Sequence, residues 1–156
     1  MNELIKEYQK ITDNIKLFRI VNNKKKLHDI LTKKIVKELY TNKTETYILI
    51  TKTNKAVGFF SVKETKTNNN KLAIELVCLY ILKEYRLNYI ATDLLNDITR
   101  SIKQNKPDYE YFLANSYVES VMFFLKNGFD FYHVDKGLKH KERNIIVMYK
   151  KITKRS

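Results

Sequence analysis

The sequence has few of the residues that make cross-links, metal centres and tight turns. Its 156 residues include one cysteine, Cys78, one proline, three glycines and no tryptophan. A single cysteine excludes an internal disulfide and a cysteine-rich zinc site. No apolar run reaches the roughly 20 residues of a membrane helix, and charged residues interrupt positions 1–10, unlike a signal peptide. These absences predict a cytoplasmic protein without a metal ion or a membrane partner.

Acidic residues are the scarcer charge. Asp and Glu number 17 against 30 Lys and Arg, so the formal net charge is +13, which attracts anionic ligands. The basic residues comprise 25 Lys and only 5 Arg, spread along the chain together with 15 Asn. An AT-rich coding sequence produces this composition, whereas residues that read phosphates and bases are usually Arg. Codon bias is the favoured explanation, and a nucleic-acid-associated, tRNA-directed protein is the less favoured alternative.

Hydrophobic periodicity predicts an α/β (α+β) domain. The hydrophobic content of 44% suffices for one continuous core, and no repeat or linker divides the chain. Three- and four-residue spacing predicts helices, and shorter apolar runs predict strands. The predicted helices are 2–11, 24–40, 89–103 and 119–127, and the predicted strands are 15–21, 46–51, 56–63, 72–82, 111–114, 129–134 and 144–151. This order indicates a mixed sheet with helices on both faces.

The run at 72–82 is the most apolar of the chain and predicts a central strand covered on both faces. Glu75 is its only charged residue, and a carboxylate there must be solvated, hydrogen-bonded or neutralised. Two interpretations stay open: Glu75 is a general base that accepts a proton from an amine, or it belongs to a structural ion pair. Cys78, in the same run, is predicted to be an inert core residue.

Strand 72–82 leads into helix 89–103 through the sequence Arg86-Leu87-Asn88-Tyr89-Ile90-Ala91. This loop resembles the Arg/Gln-x-x-Gly-x-Gly/Ala motif of the GNAT acyl-CoA N-acyltransferase superfamily. The segments 124–129 and 147–151 resemble the aromatic-x-Lys-x-Gly-Phe segment and the final strand of that family. The resemblance implies a single domain over 1–156, with a variable part at 1–44 and a cofactor-binding and C-terminal core at 45–152. It also implies a twisted, mostly antiparallel sheet of six to seven strands.

The resemblance further implies an acetyl-CoA-dependent N-acetyltransferase that acts by direct transfer on a small-molecule or protein amine, as a monomer or homodimer. Backbone N–H groups at a helix N-terminus attract a pyrophosphate. The backbone N–H of Ile81, at a strand bulge, would hold the thioester carbonyl, and strands splaying after residue 82 would admit the pantetheine arm. The implied cofactor-binding residues are Ile81, Arg86, Leu87, Asn88, Tyr89, Ile90, Ala91 and Thr92, and the implied catalytic residues are Glu75 and Tyr117.

Two positions depart from the family pattern. Tyr89 stands where the family prefers Gly, and Phe124 stands where many members carry a Tyr that protonates the CoA thiolate. Tyr117 is the candidate substitute for that acid. These departures favour a second hypothesis, a catalytically inactive GNAT-fold binding module. His28, His133 and His140 lack metal-ligand spacing, and we expect surface imidazoles there.

Overall fold

The computed structural model describes residues 8–11, 17–21, 24–41, 44–51, 55–86, 90–132 and 145–152. The strands are β1 (Tyr8–Ile11), β2 (Leu17–Val21), β3 (Glu45–Thr51), β4 (Ala56–Lys66), β5 (Leu72–Ile81), β6 (Tyr111–Tyr117), β7 (Asp130–Phe131) and β8 (Ile145–Lys151). The helices are α1 (Lys24–Leu27), α2 (Lys33–Thr41), α3 (Ile90–Asn105) and α4 (Val121–Lys126), with 3-10 turns at Lys83–Tyr85 and Val118–Ser120. None of the described helices has the length and apolar composition of a membrane-spanning segment.

The strands form one sheet in the order β1-β2-β3-β4-β5-β6-β8-β7. Only the central pair β5–β6 is parallel, and the other neighbours are antiparallel. The predicted fold class, a mixed and mostly antiparallel sheet with helices, is confirmed. The described sheet has 8 strands against the six to seven expected, because β1, a segment predicted to be helical, joins its edge.

Two apolar cores lie on opposite faces of the sheet. The larger packs α3 and α4 on one face, and the smaller packs α1 and α2 mainly over β3 and β4. The larger core includes Phe60, Leu76, Leu94, Leu95, Ile98, Ile102, Phe112 and Phe124, and the smaller includes Leu27, Val36, Ile48, Ile50 and Phe59. Helices therefore cover both faces, as predicted, but the two faces of β5 differ. The face of β5 that packs against α3 is largely buried, whereas Glu75 and Val77 of the same strand are only half-buried.

Two helix predictions are wrong. The helix predicted at 2–11 is contradicted at Tyr8–Ile11, which forms an edge strand paired with β2; positions 2–7 lie outside the described residues. The single helix predicted at 24–40 is two helices separated by a turn. The hydroxyl of Thr32 accepts a hydrogen bond from the N–H of Ile35 at 3.4 Å, so Thr32 caps a new helix. Apolar spacing continues across the turn and conceals the break.

Gly58 in β4 permits close contact between β4 and the end of β5. A Cβ atom at this position would lie 2.5 Å from the carbonyl oxygen of Tyr80 and 2.9 Å from Cδ1 of Ile81. Real Cβ atoms do not approach backbone oxygen that closely, so any side chain would push β5 away from β4. The register irregularity opposite Leu49 and Ile50 lies in the same segment of β4.

We expect Gly58→Ala to destabilise the domain by about 1–3 kcal/mol, the usual cost of overpacking a close contact. For a domain of this size, Tm should fall by roughly 2–4 °C per kcal/mol. Thermal and urea denaturation would measure the change. Lys66→Ala, at an exposed position of the same strand, is the control and should change Tm little. An unchanged Tm in Gly58→Ala would contradict the close packing of β4 on β5.

At the end of the sheet opposite the β5–α3 junction, a charged network ties β4 to the α3–β6 connection. Tyr109 donates a hydrogen bond from its hydroxyl to Oε1 of Glu64 at 2.7 Å, and Lys106 Nζ lies 3.3 Å from the same oxygen. Burial, the hydrogen bond and the charge of Glu64 together raise the pKa of Tyr109 to about 12. Ionising the phenol would place two negative charges together.

We predict that Tyr109 contributes a late phase to an alkaline titration followed by phenolate absorbance. Because the folded-state pKa of Tyr109 is raised from 10.0 to about 12, its contribution to stability is complete below pH 10 and is lost as the pH rises toward 12. Tyr109→Phe should remove the late phase. Glu64→Gln should move it to lower pH, because the hydrogen-bonded charge is gone. A late phase of unchanged amplitude in Tyr109→Phe would contradict the assignment to Tyr109.

Candidate functional site

A gap opens between the two parallel central strands. β5 pairs with β6 through residues 73–76 and 111–114, and beyond Leu76 and Ala114 the described strands no longer pair with each other. β6 continues to Tyr117 with β8 as its partner, and β5 continues to Ile81 with β4 as its partner. The strands therefore diverge after Leu76 and not after residue 82, where the divergence was expected. Among the described residues, the earlier divergence leaves β5 without a strand partner on this edge from Val77 to Ile81.

One extra residue in β5 sets the direction of that edge. Ser61 pairs with Cys78 and Val62 pairs with Leu76, which leaves Val77 as a bulge. The bulge predicted at Ile81 is therefore wrongly placed, since Ile81 pairs with Gly58. Across an unbroken strand, alternate backbone groups point to alternate edges, and a single inserted residue reverses that alternation.

Backbone hydrogen bonds on either side of the bulge demonstrate the reversal. Before it, the carbonyl of Leu72 faces β6 and accepts a hydrogen bond from the N–H of Glu110 at 3.0 Å. After it, the N–H of Leu82 faces β4 and donates to the carbonyl of Val57 at 2.9 Å. By alternation, the N–H and C=O groups of Leu79 and Ile81 point away from β4 and into the gap. The gap thus has the donors and acceptors that an extended, amide-bearing ligand needs.

The segment after the gap carries the predicted cofactor loop. Leu87, Asn88 and Tyr89, three of the predicted binding residues, lie outside the described residues. α3 begins at Ile90, whose side chain is buried in the larger core, and Ala91 packs at its border. Side chains of this first turn therefore anchor the helix, and its backbone N–H groups are the groups left for an anion.

Arg86 lies immediately before that segment, and its side chain folds back over the end of β5. Its Nε donates a hydrogen bond to the carbonyl oxygen of Ile81 at 2.7 Å, and its guanidinium carbon lies 5.3 Å from the centre of the Tyr80 ring. Arg86 is exposed, so it can still contact solvent or an anion. The structure therefore brings Ile81 and Arg86 together at the mouth of the gap.

Glu75 lies at the apex of the gap, one residue before β5 and β6 separate. Its side chain is 17% exposed, and its Oε2 lies 3.8 Å from Nζ of Lys63 on β4. Asn115, the first residue of β6 beyond the paired segment, donates from Nδ2 to the same oxygen at 3.1 Å. The carboxylate is therefore oriented from both sides and held next to a cation.

Sequence reasoning did not identify Lys63 or Asn115 as partners of Glu75. Lys63 faces Glu75 directly across the β4–β5 pair, and the hairpin register could have located it. Asn115 is 40 residues from Glu75, and only the parallel β5–β6 pairing brings it close. Both partners lie on the face opposite α3, because neighbouring strand residues alternate between faces.

Tyr117, the candidate substitute acid, and Phe124, which stands where many family members carry the acid, differ in exposure. Tyr117 is 45% exposed at the end of β6 and lies two residues after Asn115, on the same face. The hydroxyl of Ser116 donates to the Tyr117 carbonyl at 2.8 Å, which helps to hold the strand end. Phe124 is 5% exposed and packs edge-on against Phe123 and Phe129. Phe124 is therefore a core residue, and Tyr117 is the phenol that this side of the gap presents.

Cys78 and the histidines are weaker candidates for a functional role. Burial raises the pKa of the Cys78 thiol above its usual value, although hydrogen bonds with Ser61 act in the opposite direction. A thiol with a raised pKa is a poor nucleophile at neutral pH. His28 is exposed, whereas His133 and His140 lie outside the described residues. Among the described side chains, no group of three or more His, Cys, Asp or Glu is arranged to hold a metal ion.

Comparisons with known proteins agree with this geometry. A family model described as an acetyltransferase (GNAT) domain matches residues 7–148. No curated protein sequence matches the chain. A GNAT-family acetyltransferase from Staphylococcus aureus superposes with a TM-score of 0.64 at 13% identity, covering 87% of this chain and 99% of the other.

Two further structures were solved with ligands. An acetyltransferase from Bacillus subtilis in complex with CoA has a TM-score of 0.61 at 17% identity, covering 87% of this chain and 99% of that one. A GNAT-family acetyltransferase from Elizabethkingia anophelis with acetyl-CoA bound has a TM-score of 0.60 at 14% identity, with 77% and 83% coverage. At these identities the structural likeness establishes the fold.

Proposed function

This chain belongs to the GNAT acetyltransferase family, and we propose that it is an acetyl-CoA-dependent N-acetyltransferase acting on an amine by direct transfer. The observation that carries the proposal is the gap between β5 and β6. Its β5 edge directs the backbone groups of Leu79 and Ile81 inward, and Glu75 lies at its apex. An acyl donor in the gap and an amine near Glu75 would meet at the bulge.

Acetyl-CoA supplies an activated acetyl group as a thioester. The backbone N–H groups of Ile81 or Leu79 polarise a carbonyl placed in the gap, as oxyanion donors do. Arg86 and the backbone at 87–92 hold the phosphates, because a helix N-terminus and a guanidinium both attract anions. The positive net charge of the chain increases the local concentration of such a ligand.

Glu75 accepts a proton from the acceptor amine, directly or through one water molecule. The amine nitrogen then forms a bond to the thioester carbon, and the carbon–sulfur bond breaks to release a thiolate. Tyr117 is the candidate that returns a proton to that sulfur. Asn115 orients Glu75 through its hydrogen bond to Oε2, so the side chain does not have to be ordered during the reaction.

One contact favours a second candidate, an inactive GNAT-fold binding module. The ion pair between Lys63 and Glu75 is the contact expected if Glu75 is structural. Phe124, buried and without a hydroxyl, removes one route for protonating the leaving thiolate. This module would still bind acetyl-CoA, so binding and turnover must be measured separately.

We expect acetyl-CoA to raise Tm, because a ligand that binds only the folded state stabilises it by about 2.7 kcal/mol at 100 times its Kd. The gain should shrink as salt increases, since phosphate charges are being paired. ATP carries phosphates without a pantetheine arm and should give a smaller shift. If acetyl-CoA has no effect at millimolar concentration, Tyr89→Gly tests whether the Tyr89 side chain blocks the loop. No binding by either protein would exclude the proposed cofactor.

Glu75→Gln separates the two roles of Glu75. If Glu75 is the base, the variant should keep its Tm and its acetyl-CoA affinity while turnover falls by roughly 10²–10⁴, the usual contribution of a positioned base. If the ion pair is structural, Tm should fall and turnover per folded molecule should stay the same. Denaturation and release of free thiol from acetyl-CoA, screened over a panel of amines and peptides, give both quantities.

Glu64→Gln is the matched control for this substitution. Glu64 is a carboxylate on the neighbouring strand β4 that also pairs with a lysine, Lys106. It follows Lys63 directly in the strand, so its side chain lies on the α3 face of the sheet, opposite to the face of Glu75. Its loss should leave turnover per folded molecule unchanged. A stable Glu75→Gln protein with the turnover of the unmodified protein would remove Glu75 from the mechanism.

A further inference from the structure

The carbonyl of Ile81 is the last acceptor on the β5 edge of the gap, and Arg86 already uses it. The 2.7 Å hydrogen bond from Nε is short, as expected when the donor is charged. Ile81 is only 7% exposed and its side chain is packed in the larger core, so the position of its carbonyl is fixed. An extended ligand that pairs with β5 as an added strand would require the same oxygen for an amide N–H.

Tyr80 holds the guanidinium in this position. Its ring is 39% exposed and lies 5.3 Å below the guanidinium carbon, a distance at which a cation is attracted to an aromatic face. The ring centre of Phe59, a residue of the smaller core, lies 6.0 Å from that of Tyr80, which connects the Tyr80 ring to this core. Arg86 therefore has two partners, one hydrogen-bonded and one aromatic, that keep it over the gap.

We propose that Arg86 is a release switch: it closes the Ile81 acceptor in the free protein and opens it when an anionic group draws the guanidinium away. The inference rests on the proposed function, because it concerns a ligand that joins phosphates to an amide-bearing arm. The anionic part would attract Arg86 from Ile81, and the arm would then pair with the vacated carbonyl. Arg86 thus couples recognition of the two halves of one ligand.

A switch of this kind predicts that removal of Arg86 changes the affinities for two kinds of ligand in opposite directions. For a ligand with both halves, Arg86 contributes a favourable contact with the phosphates. For an arm without phosphates, Arg86 only competes. Removing Arg86 should therefore weaken binding of the complete ligand and strengthen binding of the isolated arm, whereas removal of an ordinary phosphate-binding residue would weaken the complete ligand and leave the isolated arm unchanged.

The test measures binding of acetyl-CoA, acetylpantetheine and ADP by calorimetry or thermal shift. In Arg86→Ala, acetylpantetheine should bind more tightly and acetyl-CoA more weakly than in the unmodified protein. Saturating ADP should tighten acetylpantetheine binding to the unmodified protein on the order of 5-fold or more, the scale of a typical coupling between sites. The same ADP should leave acetylpantetheine binding to Arg86→Ala unchanged.

Two further variants control the result. Tyr80→Leu removes the aromatic partner and keeps the charge, so acetylpantetheine should bind more tightly without a comparable loss for acetyl-CoA. Lys83→Ala removes a neighbouring exposed cation and should not produce opposite effects on the two ligands. Either Tyr80→Leu or Arg86→Ala suffices if the other does not fold.

Unchanged or weaker acetylpantetheine binding to Arg86→Ala, or no effect of ADP on acetylpantetheine binding to the unmodified protein, would overturn the switch while leaving the proposed function intact. Failure of acetyl-CoA to bind the unmodified protein would overturn the proposed function and the switch together. Opposite signs in Arg86→Ala, abolished coupling to ADP and a neutral Lys83→Ala would establish it.

Discussion

The extra residue at Val77 is the constraint on which the site depends. With it, the backbone groups after the bulge reverse, so those of Leu79 and Ile81 leave β4 and point into the gap. Without the extra residue, the backbone groups of Leu79 and Ile81 would bond to β4 within the sheet. The backbone groups of the residues next to them would then face the gap. The bulge therefore converts part of a central strand, where every backbone group is normally satisfied, into an edge that a ligand can complete.

The bulge also divides the side chains of β5 between two environments. Before it, Ile74 and Leu76 enter the α3 core, and after it Leu79 and Ile81 do, so the core remains continuous although the alternation is reversed. Glu75 falls on the opposite face, where α1 and α2 pack mainly over other strands. With this one inserted residue, β5 keeps a core-packed face that fixes its position. It also keeps a half-buried polar site on the other face, beside the gap. Gly58, in contact with Tyr80 and Ile81, keeps β4 tight against the strand that carries this site.

The sequence was sufficient for features that are local. The apolar run at 72–82 predicts β5, the spacing of Leu94, Leu95 and Ile98 predicts α3, and Gly128 after α4 has the positive φ of 88° expected of a helix C-cap. Position 8–11 was misassigned because a four-residue edge strand has too short a pattern to distinguish it from a helix. The break after α1 was missed although Thr32, a good N-cap residue, signals it.

The features that define the site are not local. A bulge is a property of two paired strands, so no pattern within β5 distinguishes Val77 from Ile81 as the inserted residue. The contact of Asn115 with Glu75 likewise depends on the parallel register of β5 and β6. The sequence identifies Glu75 as unusual because it is a charge among apolar residues. It does not identify its partners, and those partners determine what the carboxylate can do.

The partners of Glu75 also show why its two candidate roles share one geometry. Lys63 places an ammonium group 3.8 Å from Oε2, and an acceptor amine would need the same kind of approach to the same carboxylate. The Lys63 side chain is 39% exposed, so its ion pair is screened by solvent and contributes little stability. An amine can therefore replace it at small cost, while Asn115 keeps the carboxylate in place. A structural pair would be better served by burial, whereas a half-exposed pair beside an open gap suits a carboxylate that exchanges one ammonium group for another.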